Sequence, residues 1–246
     1  MDPHSKRLMD ACDWRGLTVT DDHIRRARQG YFANISYIDD KIGEIFTALE
    51  ATRQEATVIF VSDHGEMLGR KGLWFKMSFF EGAARVPLMI AGPGLKAGRI
   101  DTPVSTLDVT PTLADLAGIS LDEVLPWTDG ESLIGLANGQ ERLSPVAMEY
   151  AAEGSYAPLV GLRYGKWKYT RCALDPDQLF DLEADPHELT NLADHPAHQG
   201  SVNADAGAAK FNGELAGELV ERGLRHRITT FAGHRLARGE RGDVDD

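Results

Sequence analysis

The feature that most constrains the fold is a short apolar run, TVIFV at residues 57–61, which ends abruptly at the polar sequence SDHG of residues 62–65. Such a run of β-branched and aromatic residues is typical of a strand covered on both faces, as in a parallel sheet. Ligands of open α/β sheets bind at the carboxyl ends of the strands. We therefore expect a functional site at residues 62–65.

A long amphipathic helix is predicted before this strand. Asp21 and Asp22 stand where the N-cap of a helix belongs. After them, apolar residues recur at steps of three and four and form one stripe on a helix. The stripe consists of Tyr31, Ile35, Ile38, Ile42, Ile45 and Leu49. Residues 1–20 show no such pattern and are expected to be irregular.

A strand and a helix are predicted after the polar sequence. The apolar run at 86–91 indicates the strand, and residues 105–118 indicate a helix that ends at Gly118. The residues expected to face inward on this helix are Leu107, Leu113 and Leu116. Helix, strand, loop, strand, helix is an α/β pattern, and we assign it to one domain over residues 1–120.

Beyond residue 120 the pattern changes to short strands. Candidates lie at 145–150, 159–164, 167–171 and 178–182, and Tyr164-Gly165-Lys166 predicts a tight turn between the middle two. An antiparallel meander is therefore expected. Asp185-Pro186 predicts a short helix through Leu189 and Leu192, and the last residues, 202–246, are interpreted as a helical tail. Residues 121–246 are thus predicted to form a C-terminal α+β subdomain.

Composition excludes several function classes. The net charge is −12, from 38 acidic and 26 basic residues, which argues against binding nucleic acid. No apolar stretch is long enough to span a membrane, and the N-terminal residues lack the apolar core of a signal peptide. Two distant cysteines give no disulfide framework. A cytoplasmic location is expected.

Asp63 and His64 are the first candidate site residues. A carboxylate oxygen and an imidazole nitrogen at the end of a buried strand can bind one metal ion, and Gly65 would let the backbone turn beside them. Imidazole favours Mn²⁺ over Ca²⁺, which prefers oxygen ligands. The alternative is that Asp63 caps a following helix and His64 is a surface residue.

Lys76 and Glu153 are the other candidates. Lys76 is a lone cation in the aromatic stretch GLWFKMSFF, where it can hold an anionic ester or lay its stem along aromatic rings. Glu153 lies between small residues and near Tyr150 and Tyr156, a setting that suits a quaternary ammonium group. A solvated loop acid is the alternative for Glu153.

Several segments, taken in order, resemble the second half of sulfatases, which belong to the alkaline-phosphatase-like superfamily. They read VSDHGEMLG from residue 61, GLWFKMSFFEG from 72, RVPLMIAGPG from 85, STLDVTPTLADLAG from 105 and LFDLEADPHELTNLAD from 179. Within the family, FFEGAARVPLMIAGPG and MEYAAEGSYAPLVGLRYGKWKY are most similar to the choline sulfatases. The resemblance implies the C-terminal part of a sulfatase domain, followed by a small antiparallel subdomain.

The resemblance also implies roles for individual residues. Asp63 and His64 match one pair of ligands to a divalent metal ion, Mn²⁺ or Ca²⁺. Lys76 matches the lysine between the sulfate and a catalytic formylglycine. Glu153 matches an acidic residue that meets the trimethylammonium group of choline sulfate, the small-molecule partner that the resemblance predicts. The intact enzyme is expected to be a homo-oligomer.

The sequence departs from the family at the nucleophile. Sulfatases carry a cysteine in a C-x-[PA]-S-R motif that is oxidised to formylglycine, and neither Cys12 in ACDWR nor Cys172 in RCALD fits it. The other metal-binding aspartate pair is also absent, since Asp39 and Asp40 lie in the middle of the predicted helix. We expect these features in an N-terminal half outside this sequence, and we expect this chain to be inactive alone.

Two alternative functions stay open at this point. One is a phosphonate or phosphate monoesterase of the same superfamily, which would share the metal-binding pair. The other is a non-catalytic remnant that associates with a partner chain.

Overall fold

The computed structural model describes residues 1–120, 128–142 and 144–195. Its helices are α1 (Pro3–Ala11), α2 (Asp21–Thr52), α3 (Glu81–Ala84), α4 (Val109–Leu116) and α5 (Leu133–Ala137). Its strands are β1 (Val58–Val61), β2 (Leu88–Ala91), β3 (Val146–Tyr150), β4 (Leu159–Tyr164), β5 (Trp167–Cys172) and β6 (Gln178–Asp181). The predicted mixed α and β fold is confirmed, whereas the predicted helical tail lies outside the described residues. No helix in the described part has the length and apolarity to cross a membrane.

Helix α1 corrects the expectation of an irregular N-terminus. Asp2 caps the helix by accepting a hydrogen bond from the Ser5 amide at 3.0 Å, and Pro3 occupies the first helical position. Proline suits that position because the amide it lacks would have no partner within the helix. The sequence Asp2-Pro3 therefore marks the start of a helix.

Helix α2 is confirmed, with Thr20 rather than Asp21 as its N-cap. Its apolar stripe is not buried against the rest of the described chain. Ile38 is 45% exposed and Ile45 is 65% exposed, and no residue of α2 is buried. The stripe therefore forms an uncovered apolar surface.

Strands β1 and β2 pair with each other in antiparallel register, from Val58 opposite Ala91 to Val61 opposite Leu88. This corrects the inference that the apolar run belongs to a parallel sheet. A run of β-branched residues indicates that a strand is apolar. It carries no information on whether the neighbouring strand is parallel or antiparallel. In the described chain these two strands form a two-stranded sheet of their own.

Helix α4 ends at Leu116, and Gly118 with a φ of +67° terminates it as predicted, but the helix presents a different face inward. Leu107 and Leu113 are more than half exposed, whereas Asp108 and Thr112 are fully buried. Asp108 forms an ion pair at 2.5 Å with Arg142, and Thr112 accepts a hydrogen bond from the Leu133 amide at 2.9 Å. Polar contacts with the following chain therefore fix the orientation of this helix.

The antiparallel meander β3-β4-β5-β6 is confirmed, with strand ends within a residue or so of the prediction. One apolar cluster lies within this sheet, and a second joins α1 and residues 67–83 to β6. The residues of the second cluster are Leu8, Met67, Leu73, Phe80, Ala83 and Phe180. The helix predicted from Asp185 is wrong, since this segment forms turns with Glu188 at a φ of +56°.

Candidate active site

Asp63 and His64 follow β1 after Ser62, and their side chains are close enough for both to bind one metal ion. The Nδ1 atom of His64 lies 2.7 Å from the Gly65 carbonyl oxygen. Because a carbonyl only accepts, Nδ1 carries the proton and Nε2 keeps its lone pair. That Nε2 atom lies 3.6 Å from Oδ2 of Asp63. Each metal–ligand bond is about 2.0–2.5 Å long, so one ion can bind both atoms.

Gly65 is required by close backbone contact. Its amide donates to the Ala83 carbonyl at 2.8 Å, and the next amide, of Glu66, donates to Gly82 at 2.7 Å. A Cβ atom on Gly65 would lie 2.1 Å from the Gly82 oxygen. The glycine therefore lets the SDHG segment lie against α3, whereas the sequence predicted a role in turning the chain.

Lys76 is exposed and lies between two residues with left-handed backbone conformations. Phe75 has a φ of +60° and Met77 a φ of +43°. Such values are strained for residues other than glycine, cost about 1–3 kcal/mol each and occur preferentially at functional sites. The Glu66 carboxylate accepts the Phe75 amide at 2.5 Å, which holds the loop at its start.

Buried polar groups hold the end of this loop. Lys168 lies in β5 with only 2% of its side chain exposed, and its Nζ atom donates to the Phe79 carbonyl at 2.7 Å. It also forms ion pairs at 2.8 Å with Glu81 and at 2.6 Å with Glu188. A buried charge is tolerated when it is paired and hydrogen-bonded in this way. The sheet therefore fixes the backbone that follows Lys76.

Glu153 lies in the loop between β3 and β4, where its carboxylate is exposed. The Tyr150 hydroxyl donates to it at 3.0 Å, and the Tyr156 ring is 78% exposed in the same loop. Burial and this hydrogen bond both raise the pKa of Tyr150. The phenol therefore keeps its proton and orients the carboxylate.

The charge of Lys76 links the other candidates. The pKa of Asp63 is lowered, first by the hydrogen bond from the His64 amide and further by the charge of Lys76. The pKa of Glu153 is lowered, first by its own backbone amide, then by the Tyr150 hydroxyl, and further by Lys76. Charge interactions therefore connect candidate residues that are distant in the sequence.

The metal-binding set is incomplete in the described part of the chain. Among residues 1–120, 128–142 and 144–195, no group of three or more His, Cys, Asp or Glu side chains is arranged to hold a metal ion. Asp63 and His64 fit such an ion by chemistry and spacing, as two of its ligands.

Two overlapping family models together cover the sequence that contains all four candidate site residues. The model described as "Sulfatase" matches residues 5–119, and the model described as "N-sulphoglucosamine sulphohydrolase, C-terminal" matches residues 69–206. The chain belongs to the sulfatase family. The resemblance inferred from the sequence motifs is confirmed.

Individual relatives agree with this sulfatase assignment. The chain is 66% identical over 197 residues to a choline-sulfatase of Rhizobium meliloti, covering 79% of the chain and 38% of that protein. It is 38% identical over 190 residues to arylsulfatase K of Mus musculus, covering 71% of the chain and 34% of that protein. The chain thus spans little more than a third of the length of these relatives.

A solved structure confirms the fold of the sulfatase chain. The crystal structure of the phosphonate monoester hydrolase of Agrobacterium radiobacter superposes with a TM-score of 0.66 at 28% identity. The match covers 84% of this chain and 43% of that protein. The fold is therefore shared by hydrolases of sulfate and of phosphonate esters.

Sequence reasoning missed the residues that support the site. His4 and Arg7 of α1 and Lys168 of β5 all donate hydrogen bonds to the backbone of site loops. A lysine in the middle of a predicted strand was a weak signal for Lys168. No sequence signal marked His4 or Arg7, because their partners lie 73 and 147 residues away.

Proposed function

We propose that this chain forms part of a sulfuric ester hydrolase that converts choline O-sulfate and water to choline and sulfate. One observation carries the proposal. The Lys76 ammonium is within electrostatic range of both Asp63 and Glu153 and lowers the pKa of each carboxylate, so that one cation acts on a candidate metal ligand and on the candidate alcohol-binding acid. The identity to a choline-sulfatase supports the choice of ester.

Each site residue has a distinct role in this proposal. Asp63 and His64 hold a divalent ion, which when bound polarises the sulfate oxygens. The Lys76 ammonium binds a sulfate oxygen and stabilises negative charge that develops as the ester is cleaved. Glu153 attracts the trimethylammonium group, which cannot donate a conventional hydrogen bond, and the exposed Tyr156 ring offers it an aromatic face.

Hydrolysis requires a nucleophile that these 246 residues do not offer in the sulfatase motif. Both cysteines are free thiols outside that motif, and Cys172 is buried. We therefore propose that the chain alone does not turn over choline sulfate. Activity would need a polypeptide that carries the N-terminal part of a sulfatase domain, and the exposed apolar stripe of α2 is a surface on which it can pack.

Complementation tests this proposal. The chain is co-expressed with the part of the Rhizobium meliloti choline-sulfatase that precedes the matched region, and choline release is measured. We expect turnover from the purified complex, none from the chain alone, and loss of turnover in Lys76→Ala. A stable complex without sulfatase activity would favour the non-catalytic alternative. Turnover by the chain alone would contradict its proposed dependence on a partner.

The choice of alcohol is tested at Glu153. In the active complex, Glu153→Gln should lower kcat/KM for choline sulfate by about ten- to a hundredfold, because a charged contact is worth about 1–3 kcal/mol. A neutral aryl sulfate should be affected far less. Glu55→Gln, at an exposed acid before β1, is the matched control. Equal losses on both esters would remove the case for choline.

The metal proposal is tested by analysis of the complex. A histidine ligand favours Mn²⁺ over Ca²⁺, so manganese should be retained in the purified complex and lost in His64→Ala. Calcium in stoichiometric amount without any manganese response would contradict the preference. The cytoplasmic location and the homo-oligomer of the intact enzyme stay predictions.

A phosphonate or phosphate monoester hydrolase is the second candidate. It is favoured by the superposition on the phosphonate monoester hydrolase of Agrobacterium radiobacter. Phenyl phosphonate and phosphate monoesters are compared with aryl and choline sulfates in the same complex. A higher kcat/KM for the phosphorus esters would select this alternative.

A further inference from the structure

One face of α1 contacts both loops that carry the proposed substrate-binding side chains. His4, Arg7 and Leu8 are spaced by three and four residues, so they share one side of the helix. His4 and Leu8 are buried, with exposures of 4% and 1%. Helix α1 therefore packs against the site through His4 and Leu8.

His4 holds the loop of Lys76. Its Nε2 atom lies 2.8 Å from the carbonyl oxygen of Met77 and must donate, because a carbonyl only accepts. Met77 is one of the two strained residues beside Lys76. Strained backbone persists only where its surroundings hold it in place, and this hydrogen bond acts on the residue next to the lysine.

Arg7 holds the loop of Glu153. Its Nε atom donates to the Gly154 carbonyl at 2.6 Å, and its two terminal nitrogens bind the Asp175 carboxylate at 2.8 and 2.5 Å. Gly154 has a φ of +74°, and a Cβ atom there would lie 2.9 Å from the Leu8 side chain. Gly154, the residue after Glu153, is therefore held against α1 by the hydrogen bond from Arg7 and by the close approach of Leu8.

His4 also connects the two loops. Its ring makes an edge contact with the Tyr150 ring, with the centroids 5.5 Å apart. The Tyr150 hydroxyl in turn donates to Glu153 at 3.0 Å. A displacement of His4 would therefore change the position of both loops, whereas a displacement of Arg7 would change the position of the Glu153 loop only.

We propose that α1 is a positioning element that sets the distance between the sulfate-binding Lys76 and the alcohol-binding Glu153. His4 positions the Lys76 loop, and Arg7 positions the Glu153 loop and so determines selectivity for a cationic alcohol. The inference rests on the proposed function. It adds residues that touch no substrate but decide which ester fits.

Kinetics of the complemented enzyme test the two roles separately. Arg7→Met should raise KM for choline sulfate by about tenfold, since small displacements of a positioned group have effects of this size, and should leave a neutral aryl sulfate unchanged. Arg7→Lys, a milder change, keeps the charge but loses the two-pronged contact and should show the same selectivity in weaker form. Arg15→Met, which breaks an exposed ion pair with Asp10, is the matched control. Parallel losses on both esters in the Arg7 variants would overturn the proposal.

The His4 variants give the complementary result. His4→Phe removes the donor and keeps the ring, and should lower kcat for both esters because the sulfate end is common to them. His4→Gln replaces the donor near its original place and should restore part of the activity. A loss in His4→Gln as large as in His4→Phe, or larger, would contradict a role for the hydrogen bond.

Hydrogen–deuterium exchange of the chain separates this proposal from the proposed function. Arg7→Met should speed exchange in residues 151–157 and leave residues 75–81 unchanged, whereas His4→Phe should speed exchange in 75–81. This pattern would support the positioning role even if the complex proved inactive on sulfate esters, and that inactivity would count against the function alone. Uniform acceleration of both segments by both variants would overturn the positioning role.

Discussion

Two regions of this chain contrast in how they are held together. The packed region comprises α1, residues 62–84 and strands β3–β6, and it contains both described clusters of buried apolar residues. The open region comprises α2, β1 and β2, in which no residue is buried. The two regions meet at Ser62, immediately after β1 and before Asp63.

The contrast divides the proposed active site. Lys76 and Glu153 lie on loops of the packed region, whose backbone is fixed by buried groups of the same chain. Asp63 and His64 follow a strand of the open region, and their side chains are 84% and 38% exposed. The two proposed ester-binding residues are thus on loops held by contacts within this chain, whereas no further side chain of the described residues completes a metal-binding group with Asp63 and His64.

Removing a buried charge should produce the largest difference between the regions. Lys168→Met removes the buried cation that pairs with both Glu81 and Glu188, and breaking a buried pair costs about 3–5 kcal/mol of unfolding free energy. Lys41→Met removes the exposed pair with Glu44 on α2 and should cost less than about 0.5 kcal/mol. Urea unfolding followed by circular dichroism measures both. Similar values would mean that the packed region does not depend on this network.

Truncating apolar side chains should give the next largest difference. Leu162→Ala in β4, at a residue 2% exposed, should cost about 2–4 kcal/mol through lost burial and a cavity. Ile45→Ala on α2, at a residue 65% exposed, should stay within about 0.5 kcal/mol. Thermal unfolding of the two variants makes the comparison. A large loss from Ile45→Ala would show that the stripe is already covered in solution, for instance by self-association.

Acid should weaken the packed region by a moderate amount. Hydrogen bonds from Arg7 lower the pKa of Asp175 below its unfolded value of about 3.9. The interaction therefore stabilises the fold above that pH and is lost as the pH falls through the folded-state pKa. At pH 7, Asp175→Asn should cost about 1–2 kcal/mol, and the difference from the parent should shrink in acid. A difference that does not change with pH would contradict this account, and Asp22→Asn on α2 is the control.

Replacing exposed apolar residues of α2 by lysine should have the smallest effect on the free energy of unfolding. The double variant Ile38→Lys and Ile45→Lys should change unfolding by less than about 0.5 kcal/mol, because both side chains are exposed. It should nevertheless reduce binding of a hydrophobic dye and block assembly with the N-terminal polypeptide. Unimpaired assembly would show that the stripe is not the contact surface.

Local signals were sufficient for most elements, and they also pointed to the candidate site residues, which stay predictions. The meander followed from alternating short runs separated by turn residues, and Gly165, with a φ of +51°, occupies the tight turn as predicted. The predictions were wrong where the sequence pattern did not indicate which element packs against a strand or helix. The direction of the β1–β2 pair and the buried face of α4 both depend on what packs against them.

The sequence by itself determined the family, the strands of the meander and the identity of Asp63, His64, Lys76 and Glu153 as candidates, because these depend on residue type, order and short-range spacing. Only the tertiary structure decided that Lys76 is within electrostatic range of Asp63 and Glu153 and that α1 contacts the loops of Lys76 and Glu153. The contacts of His4 with Met77 and of Arg7 with Gly154 join residues far apart in the chain. Spacing along a chain does not report such contacts, because they are set by how the elements pack.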